Sequence, residues 1–262
     1  MVVFFDIDGT IVDDQTQIIP ESAVRAIHRL KENGHVPVIN SGRPFSHIDP
    51  RVRAMDFAAY VCGCGMEVRY GDRWLSRNQC PVETCRFIRD AVRRCNMQVL
   101  YEQHEGAILT DGKWSCHPGC VREAGRMAKK GSPVLEIDSL PEPKFMKFVT
   151  LDGPENCHRQ EFLEAVRPYF DCIIRNHTLV EYMGKGCSKA GGMQILLDHL
   201  GVSREDTLAI GDSTNDLPMF LAAGHTACMA DGMEELKKHS EFITGRVLED
   251  GIRTALDHFG LL

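Results

Sequence analysis

The sequence predicts an α/β protein, a doubly wound parallel sheet interrupted by an inserted α+β domain, and three observations predict it. Short apolar runs beginning near residues 2, 35 and 207 each empty into a polar loop: Asp6-Ile7-Asp8-Gly9-Thr10, Asn40-Ser41-Gly42-Arg43-Pro44 and Gly211-Asp212-Ser213-Thr214-Asn215-Asp216. A helical pattern joins the first two runs, and strand, helix, strand at these lengths is a βαβ unit, hence a parallel sheet. Over roughly 82–182 the pattern changes to helices mixed with hairpin-linked strands.

In order along the chain, residues 2–7 are too short an apolar run for a helix and read as a fully buried strand. Pro20 opens a helix in which Ala23, Ile27 and Leu30 recur on one face, and Gly34 stops it. A second strand covers 35–39, a third 59–62, and a hairpin turns at Gly71-Asp72. The insertion then reads as a helix at 83–94, strands at 97–101 and 107–109, a turn at Asp111-Gly112, and a helix at 120–129. A strand at 145–151, a helix at 156–166 and two strands turning at Asn176-His177 complete it. The parallel grammar resumes with a helix from Ser188 to Leu200, a strand at 207–210 and a helix at 217–223. Short strands near 226–229 and 241–243 and a last helix at 248–259 follow. Residues 1–81 and 183–262 thus form the core and 82–182 the insertion, a size that suits an independent domain.

Composition narrows the function. With 262 residues, 43% of them hydrophobic, the chain has the balance of a globular protein. Thirty basic against 37 acidic residues, net -7, give no electrostatic footprint for nucleic acid. No run approaches a bilayer span, and Met1 leads straight into Val2-Val3-Phe4-Phe5 with no basic leader, so no membrane partner and a cytoplasmic location are expected. Eleven cysteines cannot all pair within the chain, and they read as reduced thiols. Cys62-Gly63-Cys64 and the Cys116 to Cys120 pair each lack a second half at zinc spacing.

The chemistry sits at the strand ends. Asp6 and Asp8, two apart, leave the same face of an extended strand at the carboxyl edge, where ligands bind in open α/β sheets. Two such carboxylates repel unless one is protonated or a divalent cation lies between them, and oxygen donors suit Mg²⁺. Asp212 is the natural third ligand. The competing reading is that Asp8-Gly9 and Gly211-Asp212 are turn punctuation. Against it, Ser41-Gly42 offers a hydroxyl and backbone N–H groups ahead of a helix, an anion cradle. Lys189 also begins a helix, where the dipole favours acids, and a bound anion explains it better.

Together these residues resemble the haloacid dehalogenase (HAD) superfamily of phosphotransferases. Asp6-Ile7-Asp8-Gly9-Thr10 matches its first motif, Asn40-Ser41-Gly42-Arg43-Pro44 its second, Lys189 its third and Gly211 to Asp216 its fourth. All four occur in order, with a cap-sized insertion between the second and third, and the resemblance spans essentially the whole chain. The insertion resembles the Cof-type subfamily with its subtype IIB cap on a Rossmann-like core. Two departures stand out: Ser41 where this subfamily usually carries Thr, and Cys64 where relatives usually show the Asn of Asn-Gly-Ala.

The resemblance implies a Mg²⁺-dependent phosphatase in which Asp6 attacks phosphorus and becomes an aspartyl-phosphate, with Asp8 as general acid and base. It places Mg²⁺ on the Asp6 carboxylate, the Asp8 backbone carbonyl and Asp212, and the phosphoryl oxygens on Ser41, Gly42, Lys189 and Asn215. Gly9, Thr10 and Asp216 support them, Asp216 by orienting Lys189 or the metal's water shell; Arg43 is a secondary candidate that either touches substrate or holds a loop by surface ion pairs. The expected partner is a small phosphorylated metabolite, sugar phosphates first, with a mobile cap closing over it; the oligomeric state is left open. A phosphomutase of the same superfamily and a non-catalytic phosphometabolite binder are the alternatives. His104, Glu105 and His117 lie in the cap and read as exposed polar loop residues, with a place facing the cleft as the alternative, and Trp74 and Trp114 read as packing for adjoining hairpins.

Overall fold

The structure, a computed structural model, describes residues 1–129, 131–151, 156–174 and 178–262. The strands in chain order are β1 (Val2–Phe5), β2 (Val36–Asn40), β3 (Ala59–Cys62), β4 (Glu67–Tyr70), β5 (Arg73–Arg77), β6 (Val99–Glu102), β7 (Ile108–Thr110), β8 (Val134–Glu136), β9 (Lys147–Leu151), β10 (Phe170–Ile174), β11 (Leu179–Gly184), β12 (Thr207–Gly211), β13 (His225–Cys228) and β14 (Phe242–Ile243). The helices are α1 (Glu21–Glu32), α2 (Pro50–Arg53), α3 (Val82–Arg94), α4 (Pro118–Lys129), α5 (Arg159–Val166), α6 (Lys189–Leu200), α7 (Leu217–Ala222), α8 (Glu234–Lys237) and α9 (Gly251–His258). They divide into two compact units, one of Met1–Arg43, Ile48–Arg77 and Ser188–Leu262, the other of Pro44–His47 and Asn78–Cys187. Against the 82–182 read from sequence, the second unit starts at Asn78, ends at Cys187 and takes in four residues that follow Arg43.

The first unit is an eight-stranded sheet in the order β14-β13-β12-β1-β2-β3-β4-β5, parallel from β14 to β3 and antiparallel at β4 and β5. The run Val2 to Phe5 is apolar at every position because the strand is buried on both faces. Val2 and Phe4 pack with Met193, Leu196 and Leu197 of α6 and with Met219 and Phe220 of α7. Val3 and Phe5 are equally buried and, by strand alternation, face the other way. α1 follows Pro20 with Glu21 in its first turn and Arg29 and Lys31 in its last, charges that complement its dipole. It stops at Gly34, whose φ of +83° lets His35 N–H reach back to Leu30 O. α1 packs on β2 and on α9.

The second unit is a six-stranded sheet ordered β10-β11-β9-β6-β7-β8, antiparallel except for the short parallel β7–β8 pair. One face carries an aromatic core in which Phe148 stacks on Tyr182 and Tyr101 on Phe145, each with centroids 4.5 Å apart. Cys85, Ile88 and Val92 of α3 and Phe162 of α5 cover it, while Leu100, Ile108 and Leu151 on another cluster meet Cys120 and Ala124 of α4. The unit also buries a charged group: Lys147 pairs with Glu181 and lies 3.7 Å from Glu102. His47 lies 3.8 Å from Glu102 and donates from Nε2 to Gly106 O at 2.9 Å.

Several elements escaped the sequence reading. α2 and α8 have four residues each, too few to show a period, and β8 is a three-residue edge strand with every residue exposed. The turn placed at Asn176-His177 lies outside the described residues. Trp74 is flanked by Arg69 and Arg77, and Trp114 by Arg93 and Lys113, with the cations 4.7–5.6 Å from the ring centroids. All eleven cysteines carry free thiols. Among the described residues no helix is long and apolar enough to cross a membrane.

Candidate active site

From β1 the chain winds one way through β2 and β3, and from β12 the other way through β13 and β14, so strand order reverses between β1 and β12. Ligands bind at such a switch point, beyond the carboxyl ends of the strands. Asp6 and Asp212 are the residues that follow those two ends. Asp6 N–H donates to Ile210 O at 3.0 Å, extending the ladder one step and fixing the carboxylate at the edge. The loop after it folds back, with Ile7 O accepting from Ile11 N–H and Val12 N–H at 2.9 Å each. Thr10 is thereby buried, and its Oγ1 donates to Asp212 Oδ1 at 3.3 Å. Gly9 has φ +75°, and a Cβ there would fall 2.6 Å from Asp212 Oδ2.

Lys189 enters from the first turn of α6, whose N-cap Ser188 accepts from Gly191 N–H at 2.9 Å. Its Nζ is buried, donating to Asp6 Oδ1 at 2.5 Å and to Asp216 Oδ1. The sequence reading assigned this lysine to an anion; its partners in the structure are two carboxylates. Asp216 is itself fixed by a capping box, its Oδ2 accepting from Asp212 N–H at 3.0 Å and Ser213 N–H at 3.1 Å. Of the two roles expected of Asp216, holding Lys189 is the contact seen. Asn215 accepts from the Ser213 hydroxyl.

Asp6, Asp212 and Asp216 bring one oxygen each within 4.8 Å of one another. Burial pushes Asp6 up to about 7, Asp216 and Asp8 adding to the rise and Lys189 opposing it. Burial likewise takes Asp212 up to about 9, helped by Asp6, Asp216 and Asp14 and opposed by Lys189. For Lys189 burial alone would lower the pKa, but Asp216 and Asp6 outweigh it and hold the ammonium charged. Three carboxylates against one ammonium leave an excess of negative charge in a poorly solvated place. A hard divalent cation fits that deficit, and an all-oxygen donor set fits Mg²⁺. The grouping brings in Asp216 beside the Asp6 and Asp212 carboxylates read from sequence, while the Asp8 carboxylate, of which only the backbone carbonyl was expected as a ligand, is held in a two-point fork with Arg43 whose Nε–Oδ2 arm is 2.8 Å.

Ser41 is buried, its Oγ accepting from Arg43 N–H at 3.2 Å and its N–H donating to Val61 O at 2.8 Å. No long helix follows Ser41-Gly42, contrary to the sequence reading. Pro44 and Pro50 break the segment into a single 3₁₀ turn, Phe45–His47, and the four-residue α2. The departure at Cys64 lies in a left-handed run, Gly63, Cys64 and Gly65 at φ +57°, +55° and +85°. Cys64 N–H donates to Ser41 O at 3.2 Å, so the residue braces the backbone under Ser41. Asn40, which the sequence reading gave no role, is fully buried and donates to Lys189 O at 3.3 Å. A polar residue closing an apolar strand was the signal for it. In the second unit, His104 Nε2 donates to Asn78 O at 3.1 Å, His117 Nδ1 accepts from Gly119 N–H at 3.1 Å, and Glu105 is exposed. A surface cavity of about 280 Å³ between α1 and α9, lined by Arg25, Arg29 and Arg253 among others, shares no residue with the carboxylate cluster.

Comparison with known proteins gives the family and the fold. A family model described as haloacid dehalogenase-like hydrolase matches residues 3–256. The chain is 28% identical to the putative phosphatase YkrA of Bacillus subtilis, over all of this chain and 98% of that one. It is 44% identical over its whole length to a putative bifunctional phosphatase/peptidyl-prolyl cis-trans isomerase of Streptococcus pyogenes, of which it spans 54%. Among solved structures, the HAD subclass IIB sugar phosphatase BT4131 superposes with a TM-score of 0.81 at 21% identity, covering 100% of this chain and 99% of that one. TM0651 of Thermotoga maritima gives 0.83 at 19% identity, covering 98% and 96%; at such identities the likeness is one of fold.

Proposed function

The chain belongs to the haloacid dehalogenase-like hydrolases, as a Cof-type phosphatase, and on that premise we propose that it hydrolyses a small phosphorylated metabolite through an aspartyl-phosphate on Asp6. The observation that carries the reading is the buried Asp6–Lys189–Asp216 contact at the sheet's switch point. It fixes one Asp6 oxygen on Lys189 and leaves the carboxylate anchored for in-line attack. Asp6 attacks phosphorus as the ester oxygen leaves, and Asp8 gives that oxygen a proton. In the second half-reaction Asp8 takes a proton from water, which attacks the same phosphorus and expels Asp6, releasing phosphate. Arg43 holds Asp8 through its fork, while Ser41, Gly42, Lys189 and Asn215 hold the phosphoryl oxygens. Asp6, Asp212 and the Asp8 backbone carbonyl would hold Mg²⁺. When bound, the ion offsets the charge on the carboxylates and phosphoryl group.

Sugar phosphates come first as substrates. BT4131 is a sugar phosphatase, and YitU of Bacillus subtilis, 24% identical to this chain, is a 5-amino-6-(5-phospho-D-ribitylamino)uracil phosphatase, so both relatives act on polyhydroxylated phosphate esters. Eleven free thiols suit a reducing compartment, and we place the chain in the cytoplasm. The test is release of free phosphate from a panel of phosphorylated metabolites, with Mg²⁺ and with chelator, beside Asp6→Asn. Metal-dependent release that the variant lacks supports the reading. An isomeric phosphate with no free phosphate would replace it with a mutase, and binding without turnover with a non-catalytic receptor.

A further inference from the structure

Resting on the phosphatase reading above, we propose that Asn40 is a positioning residue for that reaction: its side-chain amide, at the end of β2, fixes the first residue of α6 so that the Lys189 ammonium meets Asp6 and Asp216 together. The face of β2 towards α6 reads Val36, Val38, Asn40. Val38 packs with Met193, Leu196 and Leu197 of α6, and Val36 lies against the same cluster. An apolar side chain would continue that face, yet the third position is an amide with no exposed surface. Its Nδ2 donates to Lys189 O at 3.3 Å, while its Oδ1, equally buried, meets no donor among the described residues. A buried acceptor in that state costs stability, so core packing does not explain the amide.

What the amide supplies is direction. The apolar contacts that hold α6 on the sheet are non-directional. Two glycines set how closely the helix approaches: a Cβ on Gly65 would fall 2.1 Å from Ser188 O, and one on Gly192 would fall 2.3 Å from Val61 Cγ1. Neither contact points at the residue that carries the ammonium. The hydrogen bond from Asn40 does, because its acceptor is the carbonyl of Lys189 itself. From that backbone the lysine side chain runs to Asp6 Oδ1 at 2.5 Å and to Asp216 Oδ1. Both contacts must be kept at once, and a backbone displacement of about 1 Å is enough to lose one of them. Asn40 also adjoins Ser41, whose N–H donates to Val61 O, so one strand end presents the serine hydroxyl and holds the start of α6.

The experiment uses the full chain with Asn40→Leu, which keeps the branched shape and removes both polar atoms, and with Asn40→Ala as a second variant should the larger side chain not fit. In either, Lys189 O keeps the bond that the helix gives it, so no group is newly stranded. Amines are pulse-labelled with acetic anhydride and read by peptide mass spectrometry. Lys147, buried in the second unit, is one control, and Cys228, buried in the first and probed with N-ethylmaleimide, is the other. Lys189 should label about fivefold faster than in the parent while both controls stay unchanged, because the opening is local. With para-nitrophenyl phosphate and Mg²⁺, kcat should fall about tenfold and KM move by less than about twofold, and inhibition by orthovanadate, which takes the place of the transferring phosphoryl group, should weaken about tenfold. Unchanged labelling of Lys189 would overturn the proposal. So would a rise shared equally by the controls, or a kcat per folded molecule equal to the parent's. Labelling needs no turnover, so a parent that releases no phosphate would count against the phosphatase reading and leave Lys189 labelling to decide on Asn40.

Discussion

Each unit buries a lysine between two carboxylates, Lys189 with Asp6 and Asp216 in the first and Lys147 with Glu181 and Glu102 in the second, and the two groups differ in their fourth member. In the first unit it is a third carboxylate, Asp212; in the second it is the imidazole of His47. A third carboxylate leaves more negative charge than the one ammonium offsets, and it adds to the rise that burial imposes on the pKa values of Asp6 and Asp212. An imidazole beside Glu102 adds no negative charge. Similar arrangements therefore serve opposite ends: one calls for a ligand from outside, the other holds β6, β9 and β11 together with the segment that follows Arg43.

The largest expected effect on this contrast comes from Asp6→Asn. It should lower phosphate release by roughly a thousandfold or more, because the nucleophile is gone, while the melting temperature of the metal-free protein holds or rises as one of three repelling charges is removed. A variant with activity near that of the parent would sink the assignment of Asp6. Next come the lysines. Lys147→Met takes the ammonium away from the buried Glu181 and the half-buried Glu102 and should cost about 3–5 kcal/mol of stability, read from urea titration, with no recovery on adding Mg²⁺. Lys189→Met should also be inactive and destabilised, but Mg²⁺ should restore part of its stability. Equal responses of the two variants to the ion would erase the distinction drawn between the units.

A smaller effect concerns pH. Asp6 and Asp212, at about 7 and about 9 in the folded metal-free protein, keep protons that the unfolded chain releases at the ordinary carboxylate value of about 4. Folding then binds protons across that window, so the metal-free protein loses stability as pH rises through it. Mg²⁺ binds the deprotonated carboxylates, and its stabilisation should grow over the same range. Melting temperatures with and without chelator, taken from about pH 5 to pH 9, should draw apart as pH rises; a constant gap would show that these carboxylates do not hold the ion. The smallest change is expected for Arg43→Ala, which frees Asp8 from its fork and should slow turnover by about tenfold, chiefly for esters with poor leaving groups.

Much of this was legible in the chain. The runs at β1, β2, β3 and β12 declare themselves because each is apolar on both faces and bounded by Gly, Asp or Asn. Asp6, Asp212 and Lys189 were legible for the same reason, as polar residues at the ends of buried elements. What sequence could not show is which group meets which. The Arg43–Asp8 fork joins residues 35 apart, and the Lys189–Asp216 contact depends on a capping box that aims one carboxylate oxygen at the lysine. The role of Asn40 was hidden because its partner is a backbone carbonyl 149 residues away.

The neighbour of β1 on one side is β12, and that pairing sets a schedule for synthesis. When Arg77 has been translated, β1 to β5 can pair, yet Val2-Val3-Phe4-Phe5 still presents a bare backbone edge. At about 10 residues per second, roughly 13 seconds pass before Thr207 follows. The whole second unit emerges in that interval and is free to fold first. Until β12 arrives the nascent chain carries an apolar strand edge open to any extended segment nearby, so the step most exposed to misassembly on the ribosome is the one that finally sets Asp6 beside Asp212.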